Sequence, residues 1–115
     1  MAAALAGEVP LFVYRGDTHA WRFRLWADPE RTEPYDLAGV HLAAQIRRTP
    51  DDRRAAVDLT VEVQLPNVIV CYLSAERSRR CPSGRWDCQA TWPDGRVLTL
   101  VKGPVVVELD VTRDE

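Results

Sequence analysis

Hydrophobic alternation with a period of two dominates this chain, and it limits most of the length to β-strand. From Val40 the residues Val40, Leu42, Ala44 and Ile46 fall on one face, with His41, Ala43, Gln45 and Arg47 on the other. From Asp58 the apolar set is Leu59, Val61, Val63 and Leu65, against Asp58, Thr60, Glu62 and Gln64. From Arg85 it is Trp86, Cys88, Ala90 and Trp92, and from Val105 it is Val105, Val107, Leu109 and Val111. Successive side chains of a strand point to opposite faces, so each run predicts a strand with one buried and one solvated face. Four further strands are expected: Leu11 to Arg15, Thr18 to Ala27, Asn67 to Leu73 and Arg96 to Lys102. In the second of these Trp21, Phe23 and Leu25 oppose Arg22, Arg24 and Trp26. Asn67 to Leu73 is rich in β-branched residues and reads as covered on both faces.

The connections carry turn chemistry. Arg15-Gly16-Asp17-Thr18 joins the first two strands, Pro66-Asn67 marks a hairpin, and Pro93-Asp94-Gly95 predicts a tight one. One stretch, Ser74 to Arg80, breaks the alternation. Ser74 is placed to cap, Glu76 falls early and Arg77, Arg79 and Arg80 fall late, which predicts a short helical turn. No repeat or linker divides the chain. The expected fold is all-β: an antiparallel β-sandwich of about eight short strands with one short helical turn near residues 74–80. The expected organisation is a flexible arm over residues 1–8 and a single sandwich domain over 9–113.

Composition enters by exclusion. A chain of 115 residues is one domain, which excludes a two-domain enzyme. The formal net charge of −2 gives no general attraction to nucleic acid. No apolar run approaches the ~20 residues of a membrane span. The opening Met1-Ala-Ala-Ala-Leu-Ala-Gly7 lacks the charge and apolar length of a signal peptide. Cys71, Cys81 and Cys88 make an odd count, which fits a reducing cytoplasm better than a disulfide framework. Cys71 and Cys88 read as packed thiols, and Cys81 as a loop residue open to solvent.

No chemistry-bearing spacing emerges. Arg15-Gly16-Asp17 matches a cell-adhesion tripeptide but has turn composition. The cysteines lack paired metal-ligand spacing, and His19 and His41 both precede them. No nucleophile elbow, zinc-protease helix or phosphate-binding loop is present. The expectation is therefore no catalytic residue, no metal and no cofactor. Arginine outnumbers lysine fourteen to one and gathers in clusters among acidic residues, which suits protein interfaces. Three uses stay open for the outward Trp26: stacking on a sugar, anchoring a subunit contact, or burial under the Asp28 to Pro34 loop.

The order of signals also resembles a family. A short strand leads through Arg15-Gly16-Asp17-Thr18 into Trp21-Arg22-Phe23-Arg24-Leu25-Trp26; then follow Tyr35-Asp36-Leu37-Ala38-Gly39, Leu73-Ser74-Ala75-Glu76, Gly84-Arg85-Trp86-Asp87-Cys88-Gln89 and Asp94-Gly95-Arg96. This series, over about residues 9 to 113, resembles the small β-sandwich domains of tailed-bacteriophage virion proteins, of tail-fibre and upper-baseplate type. The resemblance implies a virion structural protein of the tail, baseplate, head surface or head–tail junction. Its partners would be other phage structural proteins, many copies acting in a symmetric particle without nucleic acid or membrane. Arg22, Arg24 and Trp26 are the first expected interface patch, and Arg77, Arg79 and Arg80 the second. The alternative is a carbohydrate-binding sandwich that recognises a host surface glycan through Trp26.

Overall fold

The alternating runs become strands in the computed structural model, which describes residues 7–54 and 56–108. In chain order the elements are β1 (Gly7–Glu8), β2 (Leu11–Tyr14), β3 (His19–Arg24), β4 (His41–Arg47), β5 (Val57–Gln64), β6 (Val68–Leu73), α1 (Ala75–Ser78), β7 (Gly84–Thr91) and β8 (Val97–Glu108). Residues 1–6 of the expected arm and 109–113 of the expected domain lie outside the described residues. Gly7 and Glu8, expected in the arm, are strand residues paired with Val101 and Lys102.

The strands form a curled sheet in the order β1-β8-β7-β4-β5-β6-β3, with β2 also on β8. β5 makes the curl. Its first part pairs with β4 through Val57 and Leu59, and its second part pairs with β6 from Thr60 to Gln64. One strand thus belongs to both layers of a β-sandwich. Ile46, Leu59, Ile69, Cys71, Leu73, Trp86, Cys88 and Leu100 fill the space between the layers. Phe23 stacks on Trp86 at 5.5 Å between ring centres, so β3 and β7 meet through an aromatic pair.

β6 is covered on both faces from Val68 to Cys71, as its β-branched composition predicts, and Tyr72 is exposed on the outer face. Ile69, Cys71 and Leu73 enter the core, while Val68 and Val70 are buried on the outer face. Val70 lies between Arg22 and Glu62 in register, and Val68 between Arg24 and Gln64. The apolar stems of long polar residues shield these valines.

Ser74 caps α1 by accepting the Arg77 N–H at 3.1 Å. Gly16 and Gly95 take the positive φ their turns need. The Asp94 carboxylate accepts the Arg96 N–H and ion-pairs with its guanidinium.

Four expectations are corrected. The strands expected at Arg96–Lys102 and Val105–Val111 form one continuous strand through Glu108, with the rest of the second outside the described residues. Gly103-Pro104 does not break it, because it lies where the neighbouring chain passes from β1 to β2 and no ladder needs the missing N–H. Pairing is not wholly antiparallel either, since β1 and β2 run parallel to β8. The short-gap argument holds for consecutive strands, and these come from opposite ends of the chain. Leu65, expected inward, is exposed in the β5–β6 turn. Cys81 is fully buried. Burial lifts its thiol to about 11, with Arg15 opposing, and Arg15 Nε donates to its carbonyl.

Candidate functional site

Closure of the curl is incomplete, and the candidate site lies along the gap. Among the described residues β3 pairs with β6 alone. The Leu25 N–H donates to the Asn67 carbonyl at 2.8 Å, which places Leu25 and Asn67 in a hydrogen-bonded pair. The antiparallel pattern then sends the N–H and C=O groups of His19, Trp21 and Phe23 toward β6, and those of Ala20, Arg22 and Arg24 away from it. No strand lies on that side of β3 among the described residues. Trp21 and Phe23 face the core, whereas Ala20, Arg22 and Arg24 are exposed.

Beyond Arg24 the chain is pinned. The Asn67 side chain donates to the Leu25 carbonyl at 2.7 Å, and the Tyr35 N–H reaches the same oxygen at 3.1 Å. Trp26 makes an isolated bridge to Pro34 and is half-buried. The intervening loop is tied by Asp28, whose carboxylate accepts the Thr32 hydroxyl and the N–H groups of Thr32 and Glu33. The Thr32 hydroxyl bond, followed by the Glu33 N–H, holds the Asp28 carboxyl below its usual range. Arg31, at the tip, adopts positive φ. Trp26, half-buried, forms part of a groove wall.

Across the gap stand β1 and β8. Gly103 lets them approach, because a Cβ there would sit 2.1 Å from the Val9 carbonyl oxygen. That oxygen accepts the Trp86 indole N–H at 2.8 Å. The result is a groove of about 480 Å³ between the β3 edge, with Arg22 to Trp26, and Gly7, Val9, Leu100 and Val101 opposite. Arg22, Arg24 and Arg31 line it, with Asp28 as the only acidic lining residue among the described residues. Arg22 is steadied by a 2.8 Å bond to Gln64. Such a site can accept an extended, acidic chain: main-chain groups for pairing, guanidinium groups for carboxylates and an apolar floor.

The first expected patch is thus brought together on one groove. The second lies elsewhere. Arg77 donates to the Asp58 carbonyl at 3.0 Å, and Arg79 and Arg80 are exposed after α1. Ser78 and Cys81 hold that segment against the Arg15-Gly16 turn, which is at the opposite end of β3 from Arg24. Arg31 and Val9 line the groove, and the Asn67 side chain pins its Leu25 end, without having been read from the sequence. Asp28 four residues before Thr32 is a visible loop-tying signal for the first. Pro66-Asn67 reads as a turn but gives no sign that its side chain reaches another strand.

A second depression, of about 270 Å³, lies on the outer face of β4, β7 and β8. Gln45, Arg47, Arg85, Asp87 and Lys102 line it. Its arginines are already engaged: Arg47 with the Asp52 carbonyl and Gln45, Arg85 with Glu8. Burial raises the Asp87 carboxyl, with Arg47 opposing. His19 stacks on Trp21 and hydrogen-bonds the Tyr14 main chain, and His41 is exposed. No metal-binding group of three His, Cys, Asp or Glu side chains occurs among the described residues.

No family model and no curated protein matches the sequence. Among solved structures the chain is similar to the titin M3 domain, at 10% identity and a TM-score of 0.49 over 89% of this chain and 92% of that one. It is also similar to the titin domains Z1Z2 in complex with telethonin, at 11% identity and a TM-score of 0.49 over 90% of this chain and 46% of that one. Murine CRIg is similar at 13% identity and a TM-score of 0.45, over 86% of this chain and 92% of that one. Nothing about function is taken from likenesses at this level.

Proposed function

We propose that this chain is a structural assembly module of a tailed-phage virion, working through protein–protein contact rather than catalysis. The phage setting comes from the sequence resemblance. The contact is supported by one observation: Arg22, Arg24 and Trp26 meet on a groove beside a strand edge that has no strand neighbour among the described residues. Unpaired edges invite pairing with another chain, and many copies multiply a weak contact.

The experiment is incorporation of the chain into purified particles, counted by quantitative mass spectrometry. Arg24→Glu reverses a charge at the groove mouth without touching the core, so a folded variant should be lost from particles. Arg79→Ala with Arg80→Ala, far from the groove, should be incorporated normally. Normal incorporation of folded Arg24→Glu, or absence of the unaltered chain from particles, overturns the reading.

A further inference from the structure

The groove's occupant can be narrowed, on the strength of the assembly reading above. We propose that the open edge of β3 takes residues 109–115 of a second copy of this chain as an added strand. The segment Leu109-Asp110-Val111-Thr112-Arg113-Asp114-Glu115 follows β8 and lies outside the described residues. Its sequence alternates: Leu109, Val111 and Arg113 share one face, and Asp110, Thr112 and Asp114 share the other. Added to β3, that pattern places acidic residues beside Arg22 and Arg24 and turns Leu109 and Val111 toward the apolar side of the groove. Asp110 and Asp114 then answer the arginines on the outer face, and Leu109 and Val111 the apolar wall on the inner one.

The topology favours a second copy over the same copy. β2 leaves β8 at Tyr14, opposite Glu108, and β7 begins only opposite Val105. Past Glu108 neither neighbour continues beside β8. To reach its own β3, the chain would have to reverse at once, cross β2 and still pair along the edge. The segment holds no glycine or proline for the reversal. A β3-to-β3 pairing across a two-fold axis is disfavoured too, since centring it on Arg22 sets arginine against arginine. The proposed contact is head-to-tail, joining two different surfaces, and such contacts close into rings or run on as filaments.

The test is sedimentation equilibrium on the full chain with amide hydrogen exchange. The full chain should self-associate with rising concentration, and the amides of Ala20, Arg22 and Arg24 should slow in exchange as it does. Val111→Pro, which removes a donor and blocks strand pairing outside the described fold, should weaken association at least about tenfold. Arg22→Glu with Arg24→Glu should weaken it similarly, and adding Asp110→Arg with Asp114→Arg should restore it. A synthetic peptide of residues 109–115 should compete. Near-ultraviolet circular dichroism checks that each variant is folded. A full chain that stays monomeric overturns the proposal, as does association that leaves those amides unprotected. If Val111→Pro associates normally while folded Arg24→Glu is lost from particles, the occupant is wrong and the groove reading stands. If neither change has an effect, both fall.

Discussion

The two lateral sides of the sandwich are built differently. On one side β5 passes from the first layer to the second, so the main-chain ladder runs unbroken from β4 to β6. On the other side β3 and the β1–β8 pair face each other across a groove without main-chain pairing among the described residues. The closed side carries the cooperative stability, because a change there disturbs both layers. The open side is held by side chains: Phe23 on Trp86, Asn67 on Leu25, and the Trp86 indole on Val9. A sandwich closed on both sides would have no strand edge to offer on this flank.

This contrast can be broken from either side. The largest effect belongs to Ile69→Ala, which empties a fully buried position on β6. It should cost about 2–5 kcal/mol in denaturant unfolding and lower the stability of both layers together. Asn67→Ala should cost less, about 1–3 kcal/mol, because it leaves the buried Leu25 carbonyl with one donor fewer. Its effect should be local: faster amide exchange at Leu25 and Tyr35, little change in β4 or β7. Uniform loosening of every strand after Asn67→Ala would show that the seam is not a separate unit. The smallest effect belongs to Asp87, on the polar face away from the seam. Burial holds its folded pKa above the unfolded value, with Arg47 opposing. The fold therefore gains stability as pH falls through the folded value, and the whole gain is present below the unfolded value. At neutral pH the charged carboxylate costs stability. Asp87→Asn should thus raise the melting temperature slightly at neutral pH and flatten this part of the acid dependence, which thermal unfolding across pH would read.

Much of the frame was legible because it is written locally. Alternation placed Ala44 and Ile46 on β4, and Trp86, Cys88 and Ala90 on β7, on the buried face. The Ser74 cap was readable for the same reason, as donor and acceptor lie three residues apart. The parallel pairing of β2 with β8 was not legible, since residues more than ninety positions apart leave no joint local pattern. Neither was the burial of Cys81, which depends on the Arg15 turn packing from a distant part of the chain. The candidate site was half legible. Parity exposed Arg22 and Arg24, but the groove exists because of what β3 lacks, and a missing neighbour has no residue type. Trp26 shows the same limit, because its parity pointed outward while the structure leaves it half-buried in the groove wall.

The parallel register of β2 on β8 also has a mechanical side. Leu11 to Tyr14 run in the same direction as Val105 to Glu108, and Gly7 and Glu8 do likewise beside Val101 and Lys102. Tension applied between residue 7 and residue 108 pulls these strands along their length in opposite senses. The bonds between them are loaded together, in shear, rather than opened one after another. A chain placed in an assembly so that force enters near one end and leaves near the other would meet that force with its whole first-to-last strand contact.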